Sequence, residues 1–174
     1  MIGRALVVAA VAFVAGCQGM GMGGEEHRAT AQLQPTKGSR AQGTVEFIQR
    51  GNRVKVVAHV TGLTPGQEHG FHVHEAGDCS SGDGMSTKGH FNPFGKPHGH
   101  HGSAERHAGD LPSLRADSKG VAHLETEMDI ITVAAGPASV VGRGLIVHAQ
   151  PDDYKTQPTG NAGARLACAV IQRK

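Results

Sequence analysis

The sequence predicts an all-β fold, a sandwich or flattened barrel of seven or eight short antiparallel strands. Glycine supplies 26 of the 174 residues, tryptophan is absent, and only 3% of the residues are aromatic. Turn-forming residues recur at short intervals, which favours short strands over long helices. Between the turns, apolar and polar residues alternate with a period of two, as expected of strands that cover a core with one face.

The clearest predicted element is a hairpin near the start of the domain. Residues 44–49 and 54–60 both alternate, and Arg50, Gly51 and Asn52 between them form a turn signal. A second tight turn is predicted at residues 117–120, and further strands are predicted at residues 68–75, 111–116, 121–127, 144–149 and 165–171. Residues 76–110 and 150–164 lack alternation and are rich in Gly, Pro, His and Asp, so we expect two long functional loops outside the sheets.

The N-terminus has the pattern of an export signal followed by a lipid-attachment site. Arg4 precedes an apolar run, residues 5–15, which is shorter than the roughly 20 residues needed to span a bilayer. The run ends in residues 14–17, VAGC, which resemble the lipobox of bacterial lipoproteins, where Cys17 receives the lipid. A plain signal peptide with an incidental cysteine is the alternative. We therefore expect a lipoprotein signal peptide at residues 1–16, a flexible lipid-anchored tether at residues 17–29, and one folded domain at residues 30–174.

This organisation predicts a location on the bacterial cell envelope, at its periplasmic side or its surface. Lipid on Cys17 would be the contact with the membrane, and Gln18 in place of aspartate favours the outer membrane by analogy with lipoprotein sorting. The formal net charge is only +2, with both signs interspersed, so nucleic acid is not expected as a partner.

The three cysteines divide into one lipid-attachment residue and one pair. With Cys17 assigned to lipid, Cys79 and Cys168 remain as an even pair in a chain exported to an oxidising compartment. We expect a disulfide between these two cysteines, with two free thiols as the alternative.

Twelve histidines are many for a chain of this length, and their spacing indicates a metal centre. His72 and His74 flank Val73 in a predicted strand, so both imidazoles leave the same face of that strand. His-x-His alone is a weak signal. Further candidate ligands follow in the loops and strands. Imidazole suits copper and zinc, and a carboxylate added to histidines suits zinc especially. These further candidate ligands are His90, His98, His107, Asp110 and His148.

The sequence resembles the copper,zinc superoxide dismutase family in five stretches that follow the family's order and spacing. These are residues 69–75 (HGFHVHE), 89–93 (GHFNP), 106–111 (RHAGDL), 142–148 (GRGLIVH) and 160–168 (GNAGARLAC). The resemblance implies an eight-stranded Greek-key β-barrel or sandwich. It also implies one copper ion and one zinc ion per subunit, and superoxide as the substrate, converted to dioxygen and hydrogen peroxide by Cu(II)/Cu(I) cycling.

The resemblance assigns a role to each candidate residue. Copper would be held by His72, His74, His90 and His148, and zinc by His90, His98, His107 and Asp110. Asp152 would link a copper histidine to a zinc histidine, and Cys79 and Cys168 match the family disulfide. Arg165 would guide the anion to copper opposite Thr159, and His90 would also deliver a proton, so Arg165 and His90 are the predicted catalytic residues.

Several features are left open by the sequence. The alternatives to an enzyme are a non-catalytic copper and zinc buffer of the periplasm and a structural or copper-donating domain of the same fold, although Arg165 and the complete ligand set favour the enzyme. A monomer and a homodimer are both compatible with the sequence. Lys88 and Lys155 are either steering charges or ordinary solvated lysines. The remaining histidines are not expected to be ligands: His69 is interpreted as structural, His100 and His101 as exposed, and His27, His59 and His123 as isolated.

Overall fold

The computed structural model describes residues 25–174, and the signal peptide and lipid-attachment site predicted at residues 1–17 lie outside this range. The described part is all-β, as predicted, and its only helical piece is a 3-10 turn at Met85–Thr87. No helix among residues 25–174 has the length and apolar character needed to cross a membrane. The strands are β1 (His27–Pro35), β2 (Gln42–Arg50), β3 (Arg53–Thr61), β4 (Glu68–His69), β5 (Phe71–His74), β6 (Leu114–Arg115), β7 (Ala122–Met128), β8 (Gly144–His148), β9 (Arg165–Val170) and β10 (Gln172–Arg173).

Eight of these strands form one curled antiparallel sheet. Its order is β5-β8-β9-β1-β2-β3-β7, with β10 also paired to β1, while β4 and β6 pair separately. The predicted hairpin is present, because Arg50 pairs with Arg53 across a two-residue turn in which Gly51 has a φ of 59°. Strands distant in sequence, such as β5 and β8, thereby become neighbours.

The core follows from the alternation read in the sequence. In β3, Val54, Val56, Ala58 and Val60 are buried, while the residues between them are half-buried or exposed. Strands β5 and β8 differ, since all their residues are buried. One face of these two strands packs on the core, and loop residues cover the other, so polar side chains there lie away from solvent.

Two predicted strands were wrong in their bounds, and the first strand begins before the predicted start of the domain. Strand β1 begins at His27, before the predicted start of the domain at residue 30, because His27 already pairs with Gln49 of β2. The predicted strand 68–75 is divided at Gly70, and its two halves pair with β6 and β8. A side chain at Gly70 would lie only 2.8 Å from Cβ of Ala162 and 3.1 Å from Cε1 of His72. The predicted strand 111–116 is reduced to Leu114–Arg115.

The two long loops lie outside the strands, as predicted, and the first one covers the free edge of β5. The N–H of Val73 donates a hydrogen bond to the carbonyl of Gly109, and the N–H of Phe91 donates to the carbonyl of Val73. Gly109 is required at this contact because a Cβ there would overlap the carbonyl of Val73. The loop therefore continues the sheet and places its own side chains beside those of β5.

The predicted disulfide is present and fastens the first loop to the sheet. Cys79 bonds Cys168 of β9, with their Cα atoms 5.9 Å apart and 89 positions apart in the sequence. Closing so long a loop removes conformational freedom mainly from the unfolded chain.

Replacing both cysteines is expected to destabilise the protein. The variant Cys79→Ser/Cys168→Ser should lose about 4 to 5 kcal/mol in free energy of unfolding, as the chain-entropy model predicts for a loop of this length. Denaturant unfolding of both proteins loaded with the same metals measures this loss. The native protein treated with a reductant should match the variant. Equal unfolding midpoints for the oxidised protein and the variant would contradict the prediction.

Candidate metal centre

Four histidines from three parts of the chain converge into one buried cluster. His72 and His74 come from β5, His148 ends β8, and His90 comes from the first loop. One ring nitrogen of each lies within 4.8 Å of the others. Isolated bridges between His74 and His90 and between His72 and Asp110 show how the loop is held against the edge of β5.

The unpartnered ring nitrogens of this cluster fit a metal ion. They are Nδ1 of His72 and Nε2 of His74, His90 and His148, all buried without a hydrogen-bond partner. Buried polar atoms in proteins are nearly always satisfied, so four unsatisfied nitrogens facing one another need a shared ligand. Neutral imidazole nitrogens bind copper and zinc well.

The opposite nitrogens of the same rings are occupied, which fixes the orientation of each ring. Nδ1 of His74 donates to the carbonyl of Lys88 at 2.9 Å, and Nδ1 of His148 donates to the carbonyl of Gly163 at 3.2 Å. Nε2 of His72 contacts Asp152 at 2.7 Å. Such partners select the tautomer that leaves the other nitrogen free for a metal.

A second cluster, of His90, His98, His107 and Asp110, shares His90 with the first. Nδ1 of His90 lies 2.9 Å from Oδ1 of Asp110, and Nδ1 of His98 lies 3.1 Å from Oδ2 of the same carboxylate. Nδ1 of His107 lies 3.4 Å from Nδ1 of His90. Three imidazoles with one carboxylate form a donor set suited to four-coordinate zinc. His90 therefore faces one cluster with each of its two ring nitrogens.

Electrostatics favour the metal-binding protonation state at several ligands of the two clusters but not at His98. Burial lowers the pKa of His98, but hydrogen bonds to Asp110 and Asp152 outweigh burial and raise it to about 9, so a metal ion must displace a proton there. Burial, together with neighbouring imidazoles, lowers the pKa values of His74 and His148 well below their usual range. Burial is also the main cause that lowers the pKa of His90 to about 4. For Asp110, burial opposes ionisation, but hydrogen bonds from His107, His90 and His98 outweigh it and lower the pKa. Neutral imidazoles and an ionised carboxylate are the forms that bind metals.

Asp152 joins the two clusters. Its Oδ2 accepts from Nε2 of His72 at 2.7 Å, and its Oδ1 lies 2.9 Å from Nε2 of His98. Burial raises the pKa of Asp152, but these two histidines and the N–H of Tyr154 outweigh that effect and lower it. The structure thus brings Asp152 between one histidine of each cluster, where the sequence resemblance predicts it.

Gly160 is a residue of this site that sequence reasoning did not single out. It has a φ of 65°, and a Cβ on it would overlap Oδ1 of Asp152 and crowd Nε2 of His98. Only glycine leaves space for the contact between Asp152 and His98. Gly160 begins the stretch of residues 160–168 quoted above, but nothing in the sequence indicates which side chains its backbone approaches.

A β-bulge places Arg165 opposite His148. Val147 pairs with Ala167, whereas the next residue, His148, pairs with Arg165, so Leu166 is the extra residue on β9. The guanidinium of Arg165 is held at 2.7 Å by the carbonyl of Gly84, the hydroxyl of Thr87 and the carbonyl of Lys88. The sequence did not indicate these anchors.

Arg165 shares an open cavity of about 260 Å³ with the first cluster. His74 and His148 lie at its inner end, and Thr159, the residue predicted opposite Arg165, also lines it. Met85, with 59% of its surface exposed, lines the same cavity. A small anion can therefore approach the histidines past a fixed positive charge.

The other singled-out residues are not members of either cluster. Nζ of Lys88 lies 3.9 Å from Glu75, which partly offsets its charge, and Lys155 is exposed. His69 is buried and its Nδ1 donates to the carbonyl of His148 at 2.8 Å. His100 is exposed, but His101 is half-buried, with its ring centroid 3.9 Å from that of His100, so only one of the two matches the expectation of an exposed residue. His59 and His123 are not isolated, because strand pairing places them directly opposite each other.

Comparison with known proteins identifies the family. The profile of the family described as copper/zinc superoxide dismutase (SODC) matches residues 41–171. The chain belongs to the copper/zinc superoxide dismutase family. The matched segment contains both histidine clusters, Arg165 and the disulfide.

Relatives of this family resemble the chain over most of its length. Superoxide dismutase [Cu-Zn] 2 of Aquifex aeolicus is 38% identical over 152 residues, covering 85% of this chain and 88% of that protein. Superoxide dismutase [Cu-Zn] of Paramecium bursaria Chlorella virus 1 is 43% identical over 136 residues, covering 75% of this chain and 72% of that protein. The crystal structure of the clock protein EA4 superposes with a TM-score of 0.76 and 41% identity, covering 83% of this chain and 93% of that chain. Copper and zinc are thus the metals that the family implies for the two clusters.

Proposed function

We propose that this copper/zinc superoxide dismutase converts superoxide into dioxygen and hydrogen peroxide. Copper is assigned to His72, His74, His90 and His148, and zinc to His90, His98, His107 and Asp110. The observation that carries the proposal is a buried four-histidine cluster that shares His90 with a second cluster and opens onto a cavity beside Arg165. When bound, copper supplies two accessible oxidation states, so that one superoxide is oxidised and a second is reduced with the uptake of two protons.

The residues of the chain bring the anion to the cluster and keep it there. Arg165 retains its charge at any relevant pH, and its three hydrogen bonds to Gly84, Thr87 and Lys88 prevent it from turning away. A fixed donor beside the inner end of the cavity needs no reorganisation when the anion arrives. Arg165 therefore attracts superoxide and positions it against the histidines.

His90 is the residue of the first cluster that can handle a proton. Its Nε2 is buried without a protein partner and faces the first cluster, while its Nδ1 is held by Asp110. A nitrogen in this position can hold a proton and donate it to the peroxide product. Nδ1 of His90 and Asp110 both belong to the second cluster, so a metal ion held there would keep the ring in one orientation while its Nε2 takes up and releases that proton.

Catalysed decay of superoxide by the purified protein tests the function. Protein loaded with copper and zinc should remove superoxide at a rate near the diffusion limit, and the metal-free protein should not. Stoichiometric metal binding without catalysed decay would instead support the metal-buffer alternative. That alternative provides no role for the cavity or for Arg165.

Removing the charge of Arg165 is expected to slow the enzyme and weaken its dependence on salt. Arg165→Gln should lower the second-order rate constant by about 10- to 100-fold, because one positioned cation that steers and binds the anion is lost. The rate constant of Arg165→Lys should lie between those of the native protein and Arg165→Gln, since lysine keeps the positive charge but lacks the forked set of donors of the guanidinium. The rates are measured across ionic strength on proteins of equal copper content. A rate for Arg165→Gln equal to that of the native protein would contradict the role of Arg165.

We propose further that the enzyme protects the bacterial cell envelope, to which lipid on Cys17 anchors it, with the outer membrane as its site. The apolar run that ends in residues 14–17 supports this proposal, as does the disulfide, because disulfides persist mainly in proteins exported to oxidising compartments. Metabolic labelling with palmitate should label the protein but not Cys17→Ser, which should become soluble on cell fractionation. Labelling of Cys17→Ser would overturn the anchor.

The sequence leaves open whether the protein forms a homodimer. A homodimer would sediment at twice the mass of one chain.

A further inference from the structure

Two exposed histidines form a cross-strand pair on the outer face of the sheet. His59 of β3 is directly opposite His123 of β7 in the antiparallel register. Their ring centroids are 4.4 Å apart with an interplanar angle of 37°. Both residues are exposed.

The spacing of the two rings matches a chelating pair. With a metal–nitrogen distance of about 2.0 to 2.1 Å, the centroid of a bound imidazole lies about 3.2 Å from the ion. Two imidazoles at adjacent coordination positions then have centroids roughly 4.5 to 5 Å apart. The His59–His123 separation of 4.4 Å is close to this range, and His72 and His148 of the buried cluster are 5.0 Å apart.

The surroundings of the pair favour a cation. Asp117 lies close enough to His123 for their charges to interact. Lys55, on the same strand as His59, is neutralised by Glu125 of β7 at 2.5 Å. On the other side of His59, strand β2 presents Thr44, whose short side chain leaves space for an ion with bound water.

We propose that His59 and His123 form a surface binding site for one divalent transition-metal ion, such as Cu(II), Ni(II) or Zn(II). Water completes the coordination, because the two strands supply only two imidazoles. Strands β3 and β7 lie at one end of the sheet order and β5 and β8 at the other, with β9, β1 and β2 between them. The site therefore shares no ligand with the two buried clusters and can be occupied while they are full.

Nickel is the probe that separates this site from the buried ones. Ni(II) binds nitrogen ligands less tightly than Cu(II), so it does not displace copper from a saturated protein. The protein is produced without a polyhistidine tag and loaded with one equivalent of copper and one of zinc per chain. A weak chelator then removes ions bound at the surface, the chelator is removed by gel filtration, and the protein is titrated with Ni(II) in a calorimeter. We expect one ion per chain with a dissociation constant in the micromolar range.

Single substitutions test whether both histidines hold the ion. His59→Gln and His123→Gln should each weaken Ni(II) binding at least tenfold, because one imidazole cannot chelate. His100→Gln/His101→Gln, which removes another pair of adjacent histidines, should bind Ni(II) as the native protein does. Dismutase activity should be unchanged in all three variants. In NMR spectra, bound Ni(II) should broaden amide signals of residues 57–61 and 121–125.

The opposite outcomes would overturn the site. Absence of Ni(II) binding to the loaded protein would do so, as would equal affinity in His59→Gln or His123→Gln. Loss of binding in His100→Gln/His101→Gln alone would assign the ion to that pair instead. These readouts do not depend on dismutase activity.

Discussion

Replacing His148 with alanine is expected to abolish dismutase activity while the protein still folds and binds zinc. His148 supplies one of the four unpartnered nitrogens of the first cluster and none of the second. Losing a residue that only orients a ligand typically costs 10- to 100-fold in metal affinity, so losing a ligand should cost copper affinity more than about 100-fold. Zinc should remain because His90, His98, His107 and Asp110 are unchanged.

Metal content and circular dichroism separate these effects. After dialysis against a chelator, His148→Ala should retain zinc and lose copper, and its circular dichroism spectrum should match that of the native protein. His100→Ala is a matched control, since His100 is exposed and lies outside both clusters. Full activity in His148→Ala would refute the assignment of copper to this cluster. Loss of zinc with copper would show that the two clusters do not bind independently.

Asp152→Asn is expected to weaken the binding of both metals, although Asp152 belongs to neither cluster. The two carboxylate oxygens accept hydrogen bonds from Nε2 of His72 and Nε2 of His98. Asparagine has nearly the same shape but only one accepting oxygen, and its amide N–H groups would face a ring N–H. We expect the affinity for each metal to fall by about 10- to 100-fold, the usual effect of losing a partner that orients a ligand.

Competition with a chromophoric chelator measures both affinities. Asp153→Asn is the matched control, because Asp153 is exposed and caps the turn at Lys155 and Thr156 without contacting either cluster. Its metal affinities should equal those of the native protein. If Asp152→Asn binds copper and zinc as tightly as Asp153→Asn does, the contacts of Asp152 with His72 and His98 do not orient the metal ligands.

Much of the strand pattern could be predicted because it is local. Strand β3 alternates so regularly that its buried face, from Val54 to Val60, follows from side-chain geometry alone. The Gly51–Asn52 turn is equally local. The pairing of Cys79 with Cys168 was also predictable, since an exported chain with two remaining cysteines has one disulfide to form. Resemblance to a family supplied the ligand sets, which no periodicity indicates.

Prediction failed where the geometry depends on strands that are distant in sequence. The division of residues 68–75 at Gly70 comes from the approach of Ala162, and the meeting of His59 with His123 comes from the register of β3 and β7. Neither contact leaves a local signal, because a shift of one residue in register would reverse the face of every side chain.

The sequence by itself determined an all-β chain with two long loops, a disulfide pair and the residues able to bind copper and zinc. Tertiary structure alone decided how these residues meet. The bulge at Leu166 sets Arg165 opposite His148, and Gly160 leaves the space in which Asp152 reaches His98. Both depend on backbone approach between segments far apart in the chain, which follows from packing and register and not from residue type.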